Sequence, residues 1–180
     1  LVEAILLVIL VVYVFLQSLR STFIPAISIV VSLVGTFAFL YVAGFSLNML
    51  TLFALVLVIG TVVDDAIVVV EAVQAKFDEG YKSSYRATID AMGGITSALV
   101  TTTFVFMAVF IPVSFMGGTT GTFYTQFGLT MAVAVAISLV NALTLSPALC
   151  ALIMTPHEVA GDGKKMSFSS RFHIAFDSAF

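Results

Sequence analysis

Residues 50–70 read LTLFALVLVIGTVVDDAIVVV, a run of helix length in which the adjacent pair Asp64 and Asp65 carries the only charges. On membrane-insertion scales, one Asp at the centre of a spanning helix costs roughly 2.5–3.5 kcal/mol. A chain that keeps two of them needs a partner, a water-filled cavity or bound protons to offset that cost. Asp64 and Asp65 are therefore the first candidates for functional residues.

The composition indicates an integral membrane protein. Hydrophobic residues make up 61% of the 180 residues and charged residues 9%, whereas a soluble domain carries about 25% charged residues. So few charges cannot cover a soluble surface of this size. Residues 1–16 are already membrane-like and do not resemble a signal peptide. We therefore expect the chain to be a segment of a longer protein.

Five long apolar segments predict an all-α bundle of five transmembrane helices. The predicted spans cover residues 1–16, 23–43, 47–73, 94–115 and 127–154. Each of the last four exceeds about 20 residues, which is enough to cross a hydrocarbon core of roughly 30 Å. In lipid such segments must be helical, because their backbone groups find no water. We expect residues 1–155 to form this transmembrane domain.

The C-terminal part of the chain is expected to leave the bilayer core. Residues 156–167 read as a polar cytoplasmic loop. In residues 168–180 a phenylalanine recurs every four residues, which predicts an amphipathic helix lying in the membrane interface. The alternative is a helix that packs on a soluble domain outside this segment.

The placement of the basic residues predicts the orientation. The seven basic residues are Arg20, Lys76, Lys82, Arg86, Lys164, Lys165 and Arg171. The loops at the opposite ends of the spans, residues 42–46 and 116–126, carry no charge. The positive-inside rule then places the basic loops and the C-terminus in the cytoplasm. Between the third and fourth spans we expect a short helical linker broken near Gly80.

The two carboxylates face different neighbours, because adjacent helical residues point about 100° apart. Asp64 shares a side with Gly60 and Glu71, and Asp65 shares a side with Thr61. Two poorly solvated carboxylates this close do not both ionise freely, and their protons belong to the pair. This pattern favours a proton-relay site, with Gly60, Thr61 and Glu71 as supporting residues. The alternative is a static pair that only fixes helix packing.

Two further features describe the surroundings of the pair. No Lys or Arg lies within the five predicted spans, so the counter-charge is expected from a helix outside this segment. Small residues recur at steps of four in the fifth span, at Ala134, Ser138, Ala142 and Ser146. Membrane helices use such faces to approach closely, so a tight bundle is expected.

Residues 60–71, GTVVDDAIVVVE, closely resemble the fourth transmembrane helix of the resistance-nodulation-cell division (RND) exporters, in their hydrophobe/amphiphile multidrug branch. Four other stretches agree with that family, namely FLQSLR at 15–20, FSLN at 45–48, GGTTG at 117–121 and LSPALC at 145–150. The resemblance implies that the chain covers spans two to six of the first membrane half. It also implies that Asp64 and Asp65 are the proton-relay aspartates, paired with a lysine of the second half.

The resemblance carries further expectations for the whole protein. It implies a proton/substrate antiporter driven by the proton motive force, which exports amphiphilic small molecules mainly through domains outside this segment. It also implies a homotrimer in the bacterial inner membrane with a periplasmic adaptor and an outer-membrane channel. No enzymatic activity, cofactor, metal ion or nucleic-acid partner is expected. The alternatives are a membrane scaffold with structural carboxylates and a protein- or lipid-translocating member of the superfamily.

Overall fold

The computed structural model describes residues 2–16, 18–118 and 121–155. Its helices are α1 (Val2–Leu16), α2 (Leu19–Val42), α3 (Met49–Asp78), α4 (Ser84–Val113), α5 (Gly121–Leu143) and α6 (Leu145–Ile153). Within these ranges the chain forms no strand. The prediction of an all-α membrane bundle is confirmed. The polar loop predicted at 156–167 and the amphipathic helix predicted at 168–180 lie outside the described residues.

Among the described residues, four helical segments are long and apolar enough to cross a membrane. They are α2, α3, α4, and α5 taken together with α6, while α1 is a shorter apolar helix. An all-helical bundle with several such segments is the architecture of a multi-pass membrane protein.

The α3–α4 connection has the expected break at Gly80, and the helical parts on either side of it are continuous with α3 and α4. Helix α3 continues to Asp78, and α4 begins at Ser84 rather than at residue 94, so no separate linker helix forms between them. Polar residues beyond the apolar run can still continue a helix, because water satisfies exposed side chains there. The break comes at Gly80, whose φ of 99° is readily adopted only without a Cβ.

The last predicted span is interrupted near its C-terminal end. Helix α5 ends at Leu143, and Thr144 has φ −120° and ψ −63° before α6 begins. Pro147 accounts for the break, because it has no N–H to donate to the carbonyl of Leu143, four residues earlier. The Thr144 hydroxyl instead donates to the carbonyl of Val140 at 2.5 Å.

Helix α3 packs against α2, α4 and α5, and its buried face supplies much of the hydrophobic core. The predicted small face of the fifth span is buried, with Ala134, Ser138, Ala142 and Ser146 each at most 1% exposed. Helices α4 and α5 also approach closely. A Cβ on Gly128 would lie 2.5 Å from Ser114 Oγ and 2.8 Å from the Phe110 carbonyl oxygen.

Candidate functional site

Helix α3 carries the two carboxylates near its middle, and its N-terminal end is fixed by side-chain hydrogen bonds. Asn48 and Thr51 form a reciprocal capping box, in which the Thr51 N–H donates to Asn48 Oδ1 at 2.9 Å. The Asn48 amide also donates to Gln126 Oε1 at 2.8 Å. These contacts tie the start of α3 to α5 and so set the register in which Asp64 and Asp65 meet their neighbours.

Asp65 faces α5. Its Oδ2 accepts a hydrogen bond of 2.5 Å from the hydroxyl of Ser138. Asp65 is half-buried, whereas Ser138 is fully buried. The sequence analysis placed Ser138 on a packing face and missed this polar role. The signal that could have found it is the hydroxyl in a small-residue stripe opposite an acidic helix.

Asp64 faces away from α5, into a groove between α1 and α3. The groove has a volume of about 460 Å³. Two carboxylates, Asp64 and Glu71, contribute to its lining. The rest of the lining is apolar or glycine and consists of Leu7, Val8, Val11, Val12, Phe15, Gly60, Val63 and Ile67. Asp64 and Glu71 are both exposed in the described part of the protein.

The three supporting residues divide between the two sides. Gly60 lies in the groove beside Asp64, and a Cβ built on it would meet nothing within 4 Å. Glu71 lies in the same groove. The Thr61 hydroxyl donates to the carbonyl of Val58 at 3.0 Å, within its own helix. The structure thus brings Gly60, Asp64 and Glu71 together and sets Thr61 apart from them.

The described residues give the carboxylate pair no cationic partner. Over residues 2–16, 18–118 and 121–155, the ion pair found is Lys76 Nζ to Glu79 Oε2, at 2.7 Å. Across the same ranges, no three His, Cys, Asp or Glu side chains come close enough to hold a metal ion. Chemically, the arrangement offers one carboxylate hydrogen-bonded between helices and one open to an apolar groove.

The sequence profile of the AcrB/AcrD/AcrF family matches residues 1–180 of the chain. The chain belongs to this family. The family membership confirms the recognition of an RND multidrug exporter from the Asp-Asp helix. It also assigns the chain to a class of membrane transporters.

Individual AcrB/AcrD/AcrF relatives agree over nearly the whole chain. The multidrug export protein AcrF of Escherichia coli K12 is 48% identical over 175 residues, which are 97% of this chain and 17% of AcrF. The multidrug resistance protein MdtF of the same strain is 45% identical over 179 residues, 99% of this chain and 17% of MdtF. The toluene efflux pump membrane transporter TtgE of Pseudomonas putida is 44% identical over 175 residues, 97% of this chain and 17% of TtgE. The chain thus spans about a sixth of the length of these relatives.

Proposed function

We propose that this chain is the proton-relay part of the membrane domain of a proton-driven exporter of drugs or other amphiphiles. Asp64 and Asp65 would bind and release the protons. The observation that carries the proposal is that two adjacent carboxylates of an apolar helix have different surroundings. Asp65 is bonded to Ser138 of α5, and Asp64 opens into the groove beside α1.

The contact with Ser138 is compatible with either protonation state of Asp65. A hydroxyl both donates and accepts, so Ser138 can donate to the ionised carboxylate or accept from the protonated acid. A change of protonation would therefore reverse the hydrogen bond between α3 and α5 rather than break it. This supports Asp65 as the member of the pair that transmits a protonation change to helix packing.

The groove supports a different role for Asp64 in the proposed relay. An exposed carboxylate in a wall of aliphatic side chains is costly in lipid, and a proton or a cationic side chain would offset that cost. We propose that a basic residue on a transmembrane helix outside this segment supplies the counter-charge. Gly60 leaves open space beside Asp64, and Glu71 adds a second acidic group to the groove. Thr61 supports the helix backbone rather than the groove.

The driving force and the wider assembly follow from the same proposal. A proton that moves down a membrane potential releases about 2.3 kcal/mol per 100 mV, which movement of the bundle could transmit to substrate-binding domains. The names of AcrF, MdtF and TtgE support export of drugs and of solvents such as toluene. We place the protein in the bacterial inner membrane with its basic loops in the cytoplasm. There it would act as a homotrimer with a periplasmic adaptor and an outer-membrane channel.

The test is transport by the intact protein, reconstituted in vesicles with an imposed pH gradient. We expect Asp64→Asn and Asp65→Asn each to abolish proton-coupled substrate movement, because an amide, unlike a carboxylate, does not bind and release a proton near neutral pH. Asp78→Asn is the matched control, since it makes the same substitution at an exposed aspartate of α3 that does not line the groove. Undiminished transport by both Asn variants would remove the pair from the mechanism and favour a scaffold role.

A further inference from the structure

The start of α4 and the turn before it present a basic and aromatic surface, which we name the α4 basic face. It consists of Lys82, which precedes the helix, and of Tyr85, Arg86 and Ile89 within it. All four side chains are exposed, Tyr85 to 66% and Ile89 to 53%. A helix of 30 residues is about 45 Å long, and the hydrocarbon core is only about 30 Å thick. The apolar run of α4 begins only near residue 94, so the α4 basic face precedes it and extends out of the hydrocarbon core towards the headgroups.

The natural intrahelical partner of Arg86 is engaged elsewhere. Asp90 lies four residues after Arg86, at a spacing that favours an ion pair on a helix. Instead, the Asp90 carboxylate accepts a hydrogen bond from the Tyr81 hydroxyl. This hydrogen bond, together with the negative charge of Asp90, raises the pKa of Tyr81. Tyr81 therefore stays protonated and keeps donating at neutral pH.

The remaining nearby carboxylate is also occupied. Lys76 Nζ bonds to both carboxylate oxygens of Glu79, at 3.0 Å and 2.7 Å. In the part of the chain that the structure describes, neither Lys82 nor Arg86 has a carboxylate within ion-pair distance. The α4 basic face thus presents two cations that the nearby acidic groups do not neutralise.

We propose that the α4 basic face binds the headgroup of an anionic phospholipid of the surrounding membrane. Lys82 and Arg86 would contact the phosphate, and Arg86 offers a planar fork that matches its oxygens. Ile89 would contact the first carbons of the acyl chains, and Tyr85 would lie beside them with its hydroxyl towards water, as amphipathic side chains do at the interface. The charge of the two cations argues for a lipid with a net negative charge over a zwitterionic one. This proposal uses neither Asp64 nor Asp65 and does not rest on the proposed function.

The test is lipid retention by the intact protein, reconstituted in mixed phosphatidylglycerol and phosphatidylcholine and released for native mass spectrometry. We expect the wild type to retain phosphatidylglycerol in preference. Removal of each basic side chain, as Lys82→Ala or Arg86→Ala, is expected to weaken retention about fivefold. Lys76→Gln is the matched control, because it removes a cation that Glu79 already neutralises.

Two further variants test whether the Tyr81–Asp90 hydrogen bond keeps Asp90 from pairing with Arg86. Neither of them alters a basic residue. Tyr81→Phe releases Asp90 to pair with Arg86, so we expect it to lower phosphatidylglycerol retention, whereas Tyr81→Phe combined with Asp90→Asn restores it. Both variants keep the α4 basic face itself unchanged, so they remain informative where an alanine variant does not fold.

Four outcomes would overturn the lipid site. Lys82→Ala and Arg86→Ala could retain phosphatidylglycerol as well as the wild type does. Lys76→Gln could lose as much as they do, which would indicate a general effect of charge. Phosphatidylcholine could be retained equally. Millimolar inorganic phosphate could displace the lipid, which would indicate a site for free phosphate.

Discussion

Ser138 and Asp65 are joined by a hydrogen bond of 2.5 Å that crosses the interface between α3 and α5. The two residues are 73 positions apart in the chain. Their hydrogen bond links one aspartate of the pair, on α3, to a different helix, α5. The environment of Asp65 is therefore set by the position of α5 as much as by α3.

The first prediction concerns this bond. Ser138→Ala removes the donor to Asp65, and a hydrogen bond to a charged group contributes about 1.5 kcal/mol or more. We expect proton-coupled transport by the intact protein to fall about tenfold, measured as substrate movement under an imposed pH gradient. Ser28→Ala is the matched control, because Ser28 bonds to Ser146 at 3.2 Å in a buried contact and touches neither carboxylate. Equal transport by the wild type and Ser138→Ala would assign the bond to packing alone.

The second prediction concerns the groove beside Asp64. Gly60→Leu fills open space in the groove, so it is expected to hinder access of protons or of a cationic side chain to Asp64. Transport should fall markedly while the folded yield stays near that of the wild type. Gly93→Leu provides a comparison, since a Cβ on Gly93 also meets nothing within 4 Å but lies on α4. If the two variants lose transport equally, the groove has no special role.

The third prediction concerns the contact between α4 and α5. Gly128→Ala places a methyl group 2.5 Å from Ser114 Oγ and 2.8 Å from the Phe110 carbonyl oxygen. Such overpacking costs typically about 1–3 kcal/mol. We expect the midpoint temperature of unfolding in detergent to fall. It is measured by heating samples and recording the loss of the monodisperse peak in size-exclusion chromatography. Gly94→Ala, where a Cβ meets nothing within 4 Å, is expected to keep the wild-type midpoint.

The fourth prediction concerns the polar contact between α2 and α5. The Asn141 amide donates to Ser32 Oγ at 2.7 Å, in a buried contact. Asn141→Ala should lower the free energy of unfolding by about 0.6–1.7 kcal/mol, which runs from the average to the largest value found for interhelical hydrogen bonds in one membrane protein. Thr101→Ala is the control, because the Thr101 hydroxyl bonds within its own helix, to the carbonyl of Ser97. An equal loss of unfolding free energy in both variants would contradict a stabilising role for the Asn141–Ser32 hydrogen bond.

The fifth prediction is a pH dependence at the α3–α4 turn. The hydrogen bond to Asp90 and the charge of Asp90 raise the pKa of Tyr81 above that of an ordinary tyrosine. A raised pKa in the folded state contributes stability that is complete below the unfolded pKa and is lost as pH rises through the folded pKa. The contact therefore persists at neutral pH and is lost only in strongly alkaline solution.

Ultraviolet titration of tyrosinate checks this dependence, with Tyr81→Phe subtracted from the wild type. We expect the Tyr81 component to ionise at higher pH than an ordinary tyrosine. Asp90→Asn should bring that component back towards the ordinary value, because it removes the negative charge. A Tyr81 component that does not move in Asp90→Asn would refute the contact.

The sequence predicted the helical class and the carboxylate pair because both depend on local composition. Long apolar runs can only be helices in lipid, and charges at Asp64 and Asp65 stand out in such a run. The first and last residues of the helices were harder to predict from the sequence. Helix α4 starts at Ser84, ten residues before its apolar segment. Hydropathy predicts which residues lie in the hydrocarbon core, but it does not predict where the backbone hydrogen bonds of the helix begin.

The surroundings of the site could not be predicted for a different reason. A stripe of small residues shows that Ser138 faces a neighbouring helix, but the identity of that neighbour depends on how all the helices pack. The groove beside Asp64 likewise requires α1 to lie against α3. Such relationships join residues that are far apart in the chain, and a single sequence contains no direct record of them.

The interruption at Thr144 divides the last predicted span into two helices. Beyond it, the two residues that follow α6 are attached to other helices: the Met154 carbonyl accepts from the Ser84 hydroxyl at 2.7 Å, and the Thr155 hydroxyl accepts from Arg20 at 3.2 Å. Helix α5, which carries Ser138, is not continuous with that anchored end. The break therefore separates the helix that holds the partner of one carboxylate from the end of the same crossing that is tied to α2 and α4.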